Sequence, residues 1–180
     1  MNDIIALFYF LIPAGFANMF ASLSTKIFPN FNYPMDFNIK MFNKRLFGSH
    51  KTIRGLIFGL IGAIMGSLIQ YLLINFDYFK NITLIDYLTY SWILIGFLFG
   101  IGTILGDAIE SSIKRQMGIA PGKSFMPFDQ VDWIIGATIA ILPVYKIQLI
   151  DSFVLLILYF FIHLIIRYLG YLLKLNKEKI

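Results

Sequence analysis

The stretch Ile53–Phe76, IRGLIFGLIGAIMGSLIQYLLINF, carries one charged residue, Arg54, near its start. A hydrocarbon core of about 30 Å takes about 20 helical residues to cross, and this run is long enough. Inside lipid every backbone N–H and C=O needs an internal partner, so such a run is expected to cross as a helix. Working outward, four more apolar blocks follow the same logic. They run from near Ile4 to Thr25, from Leu84 to about Gly106, from about Val131 to Ile150, and from Ser152 to Leu173. The expected fold class is therefore all-α: a polytopic membrane protein with five transmembrane helices joined by loops, in a single domain over residues 1–180.

Composition agrees. The chain is 58% hydrophobic and only 14% charged, where a soluble domain carries about a quarter charged residues. Its mean hydropathy is +0.76. No cysteine is present, which excludes disulfides, thiolate metal sites and cysteine nucleophiles. His50 and His163 lie far apart, so a histidine-rich zinc site is not expected. The net charge of +5 suits an anionic membrane surface or an anionic substrate. Nucleic acid is not an expected partner, because the basic residues lie between apolar spans. The N-terminus lacks a basic leader region and reads as a retained first span.

The basic residues set an orientation. Lys26, Lys40, Lys44, Arg45 and Lys51 fall between the first two blocks, with Arg54 at the boundary. Lys114, Arg115 and Lys123 fall between the third and fourth, and Lys174, Lys177 and Lys179 follow the fifth. The positive-inside rule places both long loops and the C-terminus in the cytoplasm and the N-terminus outside the cell membrane. Gly55, Gly59, Gly62 and Gly66, then Gly96, Gly100, Gly102 and Gly106, recur at three- and four-residue spacing. Such rows let helix backbones approach closely.

The segment from Gly106 to Asp132, GDAIESSIKRQMGIAPGKSFMPFDQVD, holds the chemistry. Asp107, Ser111 and Arg115 share one face of a continuing helix, with Lys114 beside it. Gly118, Pro121 and Gly122 break that helix. Asp129 and Asp132 follow at i, i+3, and on a helix they too would share a face. Mg²⁺ takes a few carboxylates plus substrate phosphates, so Asp107, Asp129 and Asp132 are the expected metal ligands. Lys114, Arg115 and Lys123 would hold phosphates. Taken singly, each has a plainer account: membrane anchors for the bases, helix caps for the acids. Their clustering at helix ends near the bilayer favours function. Lys51 and Arg54, one helical turn apart, are candidates to bind substrate phosphate, with headgroup anchoring as the alternative. Asn18 is a candidate substrate contact, with interhelical bonding as the alternative.

The order Ser111-x-x-Lys114-Arg115, a Pro-Gly loop, then Asp129-x-x-Asp132 resembles the signature of the CDP-diacylglycerol synthases. The archaeal branch, the CDP-archaeol synthases, is the more similar. It shares Gly106-Asp107 before the serine, Gly118-x-x-Pro121-Gly122, the run Lys44–Gly55, and Ala17-Asn18-Met19. The bacterial Lys-Asp and His-Gly-Gly elements of that loop are missing here. Gln130 stands where the bacterial pattern has arginine. The resemblance implies an Mg²⁺-dependent enzyme that takes CTP and an isoprenoid ether-lipid phosphate and releases a CDP-lipid and pyrophosphate. Asp107, Ser111, Lys114, Arg115, Asp129 and Asp132 would be catalytic. Asn18, Lys51, Arg54, Gly118, Pro121 and Gly122 would contact substrate. A CTP-dependent lipid kinase and a small transporter or scaffold stay open as alternatives, as does a homodimer.

Overall fold

A computed structural model describes residues 2–120, 123 and 125–172. Among these, α1 spans Ile4–Phe10, α2 Ile12–Ile27, α3 Ile53–Leu73, α4 Asp77–Ile82, α5 Trp92–Gln116, α6 Asp132–Ala140 and α7 Leu149–Leu172. Two short strands, β1 (Lys40–Met41) and β2 (Lys44–Arg45), pair antiparallel. Their turn residues Phe42 and Asn43 both have left-handed φ, 49° and 62°. That is the twist a two-residue hairpin requires.

The protein is mostly helical and carries helices of membrane-spanning length. Two of the described helices, α3 and α5, are long and apolar enough to cross alone. The bent pair α1 and α2 adds a third if taken as one span. This is fewer than the five continuous spans expected. The first apolar block bends by 44° between α1 and α2. Pro13, in the first turn of α2, lacks an N–H for the Tyr9 carbonyl four residues back. That carbonyl instead accepts from Gln70 Nε2 of α3, and Gln70 Oε1 accepts from the Tyr87 hydroxyl. The fourth block departs further. Its helix α6 is nine residues, about 13 Å at 1.5 Å per residue. Pro143 follows within three residues, and residues before a proline are pushed away from the α conformation. α7 is apolar over Leu149–Ile165.

The core forms where α3 packs between α2 and α5, and α5 packs on α6. Phe10, Phe99, Ile95, Ile134 and Ile141 are fully buried there. The closest approach is between α5 and α6. A Cβ on Gly136 would run into the Gly102 carbonyl oxygen, and one on Gly106 into the Asp132 carbonyl oxygen. Gly136→Ala therefore forces two backbones apart and is expected to cost about 1–3 kcal/mol. That lowers the Tm in detergent by roughly 2–4 °C per kcal/mol for a chain of this size. Gly15→Ala, whose Cβ would meet nothing within 4 Å, is the control and should leave Tm unchanged or raise it, because alanine favours the helix over glycine. Equal effects of the two would remove the helix contact as a constraint.

Candidate active site

The last turns of α5 carry Asp107, Glu110, Ser111, Lys114 and Arg115 on one face, at the three- and four-residue spacing that stacks side chains on a helix. They line a cavity of about 360 Å³ together with Gly48, His50 and Lys51 of the first long loop and Asp129 and Asp132 of the second. Asp132 opens α6, and Asp129 sits in the 3₁₀ turn Phe128–Gln130 just before it. The α5–α6 contact at Gly106 is what brings Asp132 beside Asp107.

Within the cavity the acids divide into two sets. Asp107, Glu110 and Asp132 each offer an oxygen, and these atoms lie within 4.8 Å of one another. Glu110 is buried, and its Oε1 has no hydrogen-bond partner. Asp129 is engaged elsewhere. Its Oδ1 accepts from Lys114 Nζ at 2.6 Å, and its Oδ2 accepts from the Phe125 N–H at 2.6 Å. Burial raises the Asp129 carboxyl, but the Lys114 ammonium and the Phe125 amide outweigh it and hold the group below its ordinary range. Lys114 also reaches Glu110 at 3.6 Å, and Lys51 Nζ pairs with Asp107 Oδ2 at 2.6 Å. The expected metal ligands were Asp107, Asp129 and Asp132. The geometry groups Glu110 in place of Asp129. Glu110 stands at i+3 from Asp107, just off the i, i+4, i+8 row of Asp107, Ser111 and Arg115. Three carboxylates converging, one with a buried oxygen that no hydrogen bond satisfies, fit a hard divalent cation such as Mg²⁺.

Other expected site residues separate. Ser111, Lys114, Arg115 and Lys51 line the cavity. Arg54 does not line it. It is buried, and its Nη1 donates to the Phe28 and Pro29 carbonyls at 2.7 and 3.5 Å, closing the end of α2. Gly118 takes φ +81° after α5. Its N–H bonds the Arg115 carbonyl and the Ile119 N–H bonds the Lys114 carbonyl. This is the glycine cap that satisfies the last carbonyls of a helix, so its role here is structural. Lys44 Nζ adds a bond to the Gln116 carbonyl at 2.8 Å. Lys123 is exposed. Pro121 and Gly122 lie outside the described residues, as do Lys174, Lys177 and Lys179. Asn18 lines two neighbouring cavities that share Asp107 with this one.

Asp36, which sequence reading passed over, organises the first loop. Its side chain is fully buried. It accepts from Arg45 Nη2 at 2.6 Å, from the Asn38 N–H at 3.0 Å, and from the Phe47 and Gly48 N–H groups at 3.2 Å each. Beside it the Met35 N–H bonds the Lys51 carbonyl at 2.8 Å. The clip thus fixes the backbone that carries Gly48 and Lys51 to the cavity. A second, apolar cavity of about 460 Å³ runs between α5 and α6. Ile109, Ile113, Phe128, Ile135 and Ile139 line it, and Glu110 and Asp132 stand at its edge.

Apolar helices of spanning length around a cavity of converging acids and bases define a helical membrane protein with a site suited to phosphates and a cation. A family model described as CarS-like, CDP-archaeol synthase, matches residues 1–179. The CDP-archaeol synthase of Methanocaldococcus jannaschii is 34% identical over 72% of this chain and 70% of its own length. That of Pyrococcus furiosus is 30% identical over 97% and 96%. A solved structure described as an intramembrane enzyme for archaeal membrane lipids biosynthesis shares the fold. Its TM-score is 0.71 at 22% identity, over 91% of this chain and 94% of that one. The chain belongs to the CDP-archaeol synthase family.

Asp36→Asn removes the charge from this clip. Each hydrogen bond to a charged group is worth about 1.5–3 kcal/mol, or roughly ten- to hundredfold in local opening. Hydrogen exchange at the Phe47 and Gly48 amides should accelerate by that factor. The Asp36 carboxyl is held below its ordinary range: burial raises it, and Arg45 with the loop amides outweighs that. Its contribution is therefore full above about pH 4 and lost as pH falls through the lower folded value. Unchanged exchange in the variant would reduce Asp36 to a spectator.

Proposed function

We propose that this protein transfers CMP from CTP to an isoprenoid ether-lipid phosphate, giving CDP-archaeol and pyrophosphate, at the membrane it spans. The family supports the reaction. The observation that carries it here is that Asp132 lines both the charged cavity and the apolar one. A phosphate held among the bases and hydrocarbon chains held along α5 and α6 would therefore meet at one carboxylate cluster. Few reactions other than transfer to a lipid headgroup use that junction.

A lipid phosphate oxygen is already an anionic nucleophile near neutral pH, so no strong base is needed. It forms a bond to the α-phosphorus of CTP as the bond from that phosphorus to the bridging oxygen breaks, and pyrophosphate leaves with the negative charge. Lys51, Lys114 and Arg115 stand around the cavity to offset charge that develops on the phosphate oxygens. Asp129 fixes Lys114 in place, and Asp107 does the same for Lys51. Ser111 offers a hydroxyl to a phosphate oxygen. Mg²⁺ bound by Asp107, Glu110 and Asp132 would neutralise phosphate charge. The Lys/Arg bias of the two long loops supports a cytoplasmic site.

Purified protein given CTP labelled at the α-phosphate and an ether-lipid phosphate should yield labelled CDP-lipid and pyrophosphate. CDP together with a doubly phosphorylated lipid would instead mark a kinase. Glu110→Gln and Asp132→Asn should each lower kcat by about a hundred- to a thousandfold in protein that still purifies folded. Lys51→Ala should lower kcat/KM by roughly thirty- to a thousandfold, whereas Arg54→Ala should act through stability. Near-normal turnover by the Glu110 variant would remove it from the site.

A further inference from the structure

The first long loop reverses twice, at Asp36–Ile39 and at Met41–Lys44. Each turn carries the same central pair, phenylalanine then asparagine. Phe37 and Asn38 have φ of 47° and 64°, and Phe42 and Asn43 have 49° and 62°. A turn with two left-handed residues favours Asn-Gly or Gly-Gly, and a bulky side chain there strains the backbone. Phe37 and Phe42 are nevertheless 71% and 84% exposed. A large apolar side chain that strains its own backbone and leaves most of its surface uncovered points to a contact outside the chain.

Depth and charge identify that contact. The 25 residues of α5 measure about 37 Å, against a hydrocarbon core of about 30 Å. With Trp92 at one interface, where tryptophan settles, Gln116 reaches the headgroup layer of the other. Lys44 Nζ bonds the Gln116 carbonyl at 2.8 Å, and β2 packs on α5. The hairpin is thereby moored at headgroup depth. Exposed apolar surface leads to it from the end of α2, through Ile27, Phe28 and Tyr33. Ile39 and Met41, also exposed, share one face of the ladder. Between Lys26 and Arg54 the one acid is Asp36, and it is buried against Arg45. Lys26, Lys40 and Lys44 are exposed. The loop therefore presents aromatic rings and cations with no carboxylate showing, the composition of a segment that lies in the interface of an anionic membrane. A second copy of the chain would bring the same cations against these and be repelled.

We infer that this hairpin is an interfacial membrane anchor: Phe37 and Phe42 enter the boundary between headgroups and acyl chains, and Lys26 and Lys40 rest among anionic headgroups. The anchor depends on the membrane-spanning helices and not on the reaction. Its effect reaches the charged cavity. Asp36 opens the first turn and, through Arg45 and the Phe47 and Gly48 amides, ties the hairpin to the backbone that carries Gly48 and Lys51. A hairpin held by lipid holds that wall in place, and a hairpin released from lipid loosens it.

Depth is read from Phe42→Trp in protein that also carries Trp92→Phe and Trp133→Phe, so that the hairpin holds the sole indole. In vesicles, lipids brominated near the top of their chains should quench most of its emission, and more when an anionic phospholipid is present. Acrylamide in the water should quench little. Should that variant fail to fold, Phe42→Cys bearing a nitroxide, on a chain with no other cysteine, reports the same depth by collision with oxygen against a water-soluble nickel chelate. Quenching by acrylamide and not by bromine would place residue 42 in water and overturn the anchor. A blue-shifted emission that neither quencher reaches would mean that protein covers it, a second copy or another chain, and would overturn it too. Phe42→Gly separates anchoring from folding, because glycine suits the turn better than phenylalanine. In bilayers it should speed hydrogen exchange at the Phe47 and Gly48 amides by about fivefold or more, and Phe42→Trp should keep the native rate. Slower or unchanged exchange in the glycine variant would contradict the hold of lipid on the cavity wall.

Discussion

At Gly106 and Gly136 the backbones of α5 and α6 meet with no side chain between them, and Gly102 gives room to the Gly136 carbonyl and the Ala140 methyl. Everything in the site follows from this contact. Asp107 is the residue after Gly106, Glu110 lies one turn further along α5, and Asp132 lies one turn before Gly136. Only when the two helices touch do these three carboxylates converge. A methyl group at the crossing would push Asp132 away from its partners before it disturbed any other part of the cavity.

Convergence creates an electrostatic problem that the rest of the structure answers. Like charges a few ångströms apart near an apolar medium repel strongly. The protein meets part of this with Lys51 from the first loop and Lys114 from α5, one on each side of the cluster. These pairs are largely shielded from solvent, and the cost of desolvating both charges offsets much of their attraction. Their effect here is positional: Asp107 holds Lys51 inward, and Asp129 holds Lys114. The loop that delivers Lys51 is itself held by the buried Asp36. The acids thus sit where three unlike spaces meet: one charged, one apolar, and one polar with aromatic walls. A reaction joining a nucleotide to a lipid phosphate requires such a meeting.

The helical class and the segment from Gly106 to Asp132 were legible because they depend on local pattern. Apolar blocks have a length, and a helical row of acids and bases has a period. What escaped the sequence depended on partners distant along the chain. Glu110, to which the sequence assigns no role, joins Asp107 and Asp132 in the acid cluster, while Asp129, an expected ligand, is paired with Lys114, a tertiary fact. Arg54 looks like a phosphate ligand beside Lys51, yet the open carbonyls at the end of α2 claim it. Gly118 matched a family pattern, and its left-handed φ shows a helix cap. Pro13 and Pro143 were visible, but a hydropathy reading gave them no weight against the length of their blocks. The hairpin at Lys40–Arg45 carries too few residues for an alternation signal, and Asp36 reads in sequence as an ordinary loop acid.

The central claim is that Asp107, Glu110 and Asp132 together hold the cation on which the reaction depends. Mn²⁺ stands in for Mg²⁺ and scatters anomalously, so crystals of the protein grown with Mn²⁺ and CTP locate it directly. The account predicts an anomalous peak bonded to oxygens of all three carboxylates, at about 2.1 Å, the distance expected of such a cation. A peak bonded to Asp129 that leaves Glu110 free would contradict it.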